Sequence, residues 1–238
     1  MMHSTNRPMT QATTVGLKRA ASPSLVDVAY DAILEGIFER GLPPGSRITI
    51  DALAKQLEMS ITPIREALAR LAAQRLVVWE ENRGFTVAPL LSKQRYHDLY
   101  EAREFLELAC VRSAVVTPRE LDRLAEILER MTSAGRGPSY SEYVEFARLD
   151  DEFHVALVRM SSNEFLAQAF ASLNFHLHQT RIYAGQGVSD FSEASSEHTQ
   201  ILEAFRGGSL TDVVRVDKAH LRRAQRRGWE ILRSGAQR

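Results

Sequence analysis

The chain has 238 residues, enough for two small domains or one large one. Apolar residues make up 44% of it and 30 basic residues balance 30 acidic ones, so it reads as an ordinary globular protein in which no global basic excess announces a nucleic-acid partner. No run of about 18 apolar residues offers a membrane span, and the single cysteine, Cys110, excludes an internal disulfide framework and fits a cytoplasmic protein.

Residues 1–23 are polar and rich in small side chains, without the apolar stretch of a signal peptide, and read as a flexible tail. Over 25–40 an amphipathic pattern predicts a helix with Val28, Ile33, Ile37 and Phe38 near one face. Gly41-Leu42-Pro43-Pro44-Gly45 ends it. A short helix is expected over 50–57, with Leu53, Ala54 and Leu57 on one side. A longer one is expected over 61–73, where Pro63 sits in the first turn and sacrifices no hydrogen bond. In this helix Ile64, Ala67, Leu68 and Leu71 share an inward face, and Thr62, Arg65 and Ala69 share the opposite one. Two β-rich runs, 76–79 and 85–88, flank the polar turn Glu80-Glu81-Asn82-Arg83-Gly84 and predict a hairpin, which Pro89 closes. From Ser92 onward the patterns are helical, over roughly 92–116, 118–133, 139–161, 163–184, 190–206 and 210–233. Thr117-Pro118-Arg119-Glu120 reads as a capping box, and short connections suggest an antiparallel bundle. Cys110 lies in the apolar run Leu106, Leu108, Ala109, Val111 and reads as a buried structural thiol.

Three helices and a hairpin within about 65 residues make the layout of a winged helix-turn-helix, whose second paired helix enters the major groove of double-stranded DNA. Arg65 is suited to a guanine edge or a phosphate, Ser60 and Thr62 to a phosphate, and Arg83 at the hairpin tip to the backbone or minor groove. The alternative is a surface helix whose arginines are merely solvated. The ordered set of elements favours DNA.

Several motifs carry a family resemblance. Leu42-Pro43-Pro44-Gly45-Ser46-Arg47-Ile48, Leu53-Ala54-x-x-Leu57, Ser60-Ile61-Thr62-Pro63-Ile64-Arg65-Glu66-Ala67-Leu68 and Asn82-Arg83-Gly84-Phe85-Thr86-Val87 resemble the DNA-binding domain of the GntR superfamily of bacterial regulators over about residues 25–90. With Arg47 and Arg70 added, the candidate DNA contacts are Arg47, Ser60, Thr62, Arg65, Arg70 and Arg83. The family commonly carries an arginine where this chain has Ile61, and a glutamate near Ile50-Asp51.

In the remaining part, Asp150 and His154 stand four apart on one helical face, with Cβ atoms roughly 6 Å apart. His198 and His220 lie on two later helices. One carboxylate and three imidazoles suit zinc foremost, and also nickel, manganese or iron, with positions left for water or a ligand oxygen. His3, His97, His176 and His178 are less suitably placed. By spacing alone the four remain a modest signal. Their setting, Leu149-Asp150-x-x-Phe153-His154-x-x-Leu157, Asn163, Glu197-His198-x-x-Ile201-Leu202-x-Ala204 and His220, resembles the FCD effector domain of the FadR subfamily over about residues 92–233. That resemblance implies a divalent metal on Asp150, His154, His198 and His220, with a small carboxylate effector beside it. It also implies that Arg103 faces the pocket, the alternative being a salt bridge to Glu107 at i,i+4, with Arg181 a weaker pocket candidate. Six helices in this part point to the VanR-like branch.

The expected protein is therefore mainly α. A tail (1–23) precedes a winged helix-turn-helix (24–90) and an antiparallel six-helix, FCD-like bundle (92–233) that binds metal and effector. Its expected function is that of a homodimeric regulator on a palindromic DNA operator, controlled by an organic acid. Two other readings stand beside it: a metal-dependent enzyme acting on small carboxylates or esters, and a structural metal in a protein–protein module.

Overall fold

A computed structural model describes residues 23–39, 41–134, 140–173 and 191–235. The C-terminal part of the helix expected over 163–184, with Arg181, His176 and His178, lies outside them, as does the expected tail up to residue 22.

Helix α1 (Leu25–Phe38) starts at a capping box in which Ser24 and Asp27 satisfy each other's backbone N–H groups. It buries Ala29, Ile33, Leu34, Ile37 and Phe38, while Val28, expected on the apolar face, is 39% exposed. A two-residue strand β1 (Arg47–Ile48) follows, then α2 (Ile50–Gln56), α3 (Ile61–Ala73), β2 (Val77–Glu80) and β3 (Gly84–Val87). The sheet is antiparallel in the order β1-β3-β2, with Thr86 opposite both Arg47 and Val78. Strand β1 was not expected, because two residues are too few to display alternation. The Pro-Gly loop brings it there: Gly45, at a φ of 78°, donates to the Val87 carbonyl, and Val87 donates back to the Ser46 carbonyl. At the hairpin tip Asn82 and Gly84 take the positive φ that the tight turn requires. Ile64, Ala67, Leu68 and Leu71 of α3 are fully buried against α1.

Among the described residues six helices follow: α4 (Lys93–Arg112), α5 (Pro118–Ser133), α6 (Tyr140–Arg159), α7 (described over residues 164–173), α8 (Phe191–Arg206) and α9 (Leu210–Gly235). Thr117 caps α5 through Glu120 N–H, and Asn163 caps α7 through Leu166 N–H. Helix α4 ends at Arg112, four residues short of expectation, because Val115 N–H pairs with the Met160 carbonyl at the end of α6 and draws the chain away from the helix axis. Helix α4 packs on α9 and α6, α5 on α6 and α8, and α8 on α9. Buried Leu124, Ile127 and Met131 of α5, Leu149, Phe153 and Leu157 of α6, and Ile201, Leu202 and Phe205 of α8 share one core. Within each set, residues three or four apart recur, the spacing of one helix face. Cys110 is buried, as its neighbours implied.

Candidate metal centre and nucleic-acid interface

The apolar faces of four helices in this bundle are interrupted by ionisable side chains at the same level. Helix α4 supplies Arg103 and Glu107, α6 supplies Asp150 and His154, α8 supplies Glu197 and His198, and α9 supplies Asp217 and His220. Each pair is spaced to lie on one helical face or at its edge, and all except the half-buried Asp150 are buried.

The three imidazoles present Nε2 to a common point. His154 Nε2 lies 3.2 Å from His198 Nε2 and 3.3 Å from His220 Nε2, and Asp150 Oδ1 stands 3.5 Å from the former's partner, His198 Nε2, and 4.0 Å from His154 Nε2. The other nitrogen of each ring has a partner. His154 Nδ1 meets Glu107 Oε1 at 2.5 Å, His220 Nδ1 meets Glu197 Oε2 at 2.7 Å, and His198 Nδ1 meets Met131 Sδ at 3.4 Å. Carboxylates and a thioether accept, so these nitrogens carry the protons, and three Nε2 lone pairs face one another. Lone pairs at that separation repel unless a cation lies among them. Donors tetrahedrally arranged about zinc at about 2.0–2.1 Å would stand roughly 3.3 Å apart. The residues therefore fit a divalent ion.

The electrostatics agree. Burial, with the neighbouring His220 charge, pushes His198 well below the ordinary imidazole value. Burial also lowers His220, against its hydrogen bond to the Glu197 carboxylate, which supports its charge. Both rings thus favour the neutral form that ligates metal. Glu107 is depressed: burial alone would raise it, but His154 and Arg103 outweigh that. Glu197 is depressed likewise, by His220, Arg227 and Arg223 against burial. Its oxygens accept from Arg223 Nε at 2.6 Å and from Arg227 Nη1 and Nη2 at 2.9 and 3.0 Å.

Arg103 donates through Nε to Glu107 Oε2 at 3.2 Å, so the salt bridge considered for it exists. Among the described residues its two Nη groups make no hydrogen bond. Burial opposes its charge, and Glu107, Tyr100 and Asp150 keep it protonated. Glu107 was foreseen only as the alternative partner of Arg103. Glu197 was visible only as the residue before His198, and Asp217 was not singled out. The signal that could have found them is a charged residue recurring within an otherwise apolar helical stripe. His97, with Asp98 and Glu101, forms an exposed cluster remote from these imidazoles in burial and chemistry.

On α3 the expected division of faces holds: Ser60, Thr62, Arg65, Ala69 and Arg70 are exposed, together with Ile61. Ser60 is the N-cap residue, yet its side chain makes no cap hydrogen bond, which leaves the first-turn N–H groups without a side-chain acceptor. Arg65 has no ion pair or hydrogen bond among the described residues. Arg70 differs: Nη1 holds Asp27 Oδ1 at 2.6 Å and its guanidinium lies 4.6 Å from the Tyr30 ring centroid. Arg83 is exposed at the wing tip, with Nη1 2.8 Å from Glu80 Oε2. Arg47 is exposed on β1.

Comparison with known proteins adds independent findings. Residues 25–87 match the family described as bacterial regulatory proteins, gntR family, and residues 98–223 match the FCD domain. The Nta operon transcriptional regulator of Aminobacter aminovorans is 33% identical over 196 residues, covering 71% of this chain and 90% of that protein. The HTH-type transcriptional regulator McbR of Escherichia coli K12 is 34% identical over 134 residues, 56% of this chain and 59% of the relative. Among solved structures, E. coli McbR/YncC superposes with a TM-score of 0.66 at 23% identity, covering 88% of this chain and 99% of that one. A GntR-type protein of Rhodococcus sp. RHA1 gives 0.67 at 22%, covering 87% and 96%. These two likenesses speak for the fold.

Proposed function

The chain belongs to the GntR family of bacterial transcription regulators with an effector-binding FCD domain, and from that premise we propose that its operator affinity is set by a small organic acid bound beside a divalent metal. Both matched domains and the relatives are those of transcription regulators, so the chain is a regulator and not a metal-dependent enzyme. The observation that carries the metal reading is the convergence of three Nε2 lone pairs, with Asp150 Oδ1 beside them. Asp150, His154, His198 and His220 are the ligands, zinc is the foremost candidate, and nickel, manganese or iron are the alternatives. When bound, the ion supplies a Lewis-acidic position open to one carboxylate oxygen of the effector. Arg103, with both Nη groups free among the described residues, offers that carboxylate a charged donor. Arg181 stays a weaker candidate on sequence grounds.

DNA is read by α3. Arg65 and Thr62 face the major groove, Ser60 and the first-turn N–H groups take a phosphate, and Arg83 and Arg47 contact the backbone from the wing. The domains divide near residue 91, and the six helices among the described residues of the second part support the VanR-like branch. Two copies bind a palindromic operator, and the effector alters the spacing of the two α3 helices.

The test is an operator gel-shift titration on zinc-loaded, EDTA-stripped and His198→Ala protein, with a panel of small carboxylates. One carboxylate should shift operator affinity on the zinc-loaded protein alone, and should raise its Tm. An equal response in the stripped protein would remove the metal from the mechanism.

A further inference from the structure

Helices α4 and α9 run antiparallel: Tyr96 is level with Gln225, and Glu104 further along is level with Lys218 and Arg222. An open groove of about 830 Å³ lies between them. Its walls are sorted by charge. Helix α9 lines it with Lys218, Arg222, Arg223 and Arg226 and with no acid. Helix α4 lines it with Glu101 and Glu104 at the same level, and with Arg112 at the far end. Between the walls Tyr100 and Leu108 are buried, but Phe105 is left 73% exposed. Part of the charge is matched within the chain. Glu104 accepts from Lys218 Nζ at 3.1 Å and Arg222 Nε at 3.2 Å, and Arg223 is held by Glu197. Glu101 and Arg226 are both exposed and have no ion pair or hydrogen bond among the described residues. A large exposed ring rimmed by polar groups marks an interaction surface.

The sign pattern selects the occupant. A polyanion drawn to the α9 wall would meet Glu101 and Glu104 on the other. A second copy of the chain brings both signs. With a two-fold axis running along the groove, every residue keeps its level, and α4 of each copy lies on α9 of the other. The acidic wall then meets the cationic wall twice. An axis across the groove would lay α9 on α9 and oppose cation to cation. We propose that this groove is the face on which two copies dock, α4 of one against α9 of the other, with the Phe105 rings covered and Glu101 of each copy paired with Arg226 of the other. This rests on the two-copy reading above and gives it a surface.

The test is sedimentation velocity of the full-length protein over a range of concentrations. Glu101→Arg and Arg226→Glu each oppose like charges across the interface. Each should raise the dimer dissociation constant by about ten-fold or more, with Tm unchanged because both side chains are exposed. The swap Glu101→Arg with Arg226→Glu in one chain restores opposite signs and should return the constant to within about three-fold of wild type. Single variants that dimerise like wild type overturn the proposal while leaving the two-copy reading in place. A swap no better than either single variant also overturns it, because α4 would then not lie on α9. A wild type that is monomeric at every concentration ends both readings. If Arg226→Glu instead abolished binding of a duplex lacking the operator and left the dimer intact, the groove would belong to a polyanion, which overturns the proposal as well.

Discussion

Arg65 and Arg70 stand five residues apart on α3, and their surroundings set them to different work. Arg70 is occupied by Asp27 and the Tyr30 ring on α1, whereas Arg65 is exposed and has no partner among the described residues. Arg65→Ala is therefore expected to weaken operator binding by about 1–3 kcal/mol, measured by gel shift, without lowering Tm. Arg70→Ala should lower Tm slightly and leave operator affinity nearly intact. The reverse pattern would transfer the DNA contact to Arg70. Glu197 gives a prediction in pH. Its folded carboxyl lies below the value it has in the unfolded chain, so the folded state binds that proton less readily. The stabilisation is full above the unfolded value of about 4.3 and is lost progressively as pH falls from there to the lower folded value. In metal-free protein the Tm advantage of wild type over Glu197→Gln should be full at pH 6 and shrink below about pH 4. An advantage that does not change with pH would mean that the Glu197 charge is not what the surrounding arginines and His220 stabilise.

At the scale of the element, the contact between α4 and α9 depends on a residue with no side chain. Gly228 lies against Tyr96, and a Cβ there would overlap the Tyr96 hydroxyl, which donates to the Gln225 carbonyl at 3.1 Å. By helix propensity alone Gly→Ala should stabilise by about 1 kcal/mol. Here Gly228→Ala is expected to destabilise instead, by about 1–3 kcal/mol in denaturant melts, because the overlap forces the helices apart or Tyr96 off its rotamer. Tyr96→Phe removes the overlapping oxygen and should restore part of the loss in the double variant. Stabilisation by Gly228→Ala alone would refute this account of the packing. Elements of this length were legible from their apolar repeats: α3 shows the expected faces, α5 spans the expected range, and their N-cap residues are readable in Ser-x-Thr-Pro and Thr-Pro-x-Glu. What was not legible depends on contacts distant in sequence. Strand β1 exists because Val87 pairs with the Pro-Gly loop, and α4 stops early because Met160 claims Val115. The same holds at the candidate centre. Asp150, His154, His198 and His220 could be picked out by residue type and by family pattern. Glu107, Glu197 and Asp217 could not, since a glutamate or aspartate on a helix is by default a solvated residue, and their burial follows from four helices converging.

For the whole molecule, the palindromic operator proposed above would demand two copies of α3 about 34–36 Å apart, related by a two-fold axis. The bundle offers a surface for that pairing. Phe105 on α4 is 73% exposed and Phe165 on α7 is 84% exposed. Their chain neighbours Leu106 and Leu166 pack inward into one shared cluster with Cys110, Val158 and Phe170, which leaves the two rings on the outside of α4 and α7. Large apolar side chains in such a position are costly in water and stabilise an interface when covered. A partner copy that covered either ring would use the same surface twice, as an isologous interface requires. The double variant Phe105→Glu, Phe165→Glu would place charges in such an interface and is expected to sediment as a monomer, with helical content unchanged. Because one half-site contact then acts alone, operator affinity should fall by about 100-fold or more, while the residual affinity for a single half-site persists. A variant that remains dimeric, or a monomer that binds the full operator undiminished, would place the two-fold contact elsewhere on the molecule.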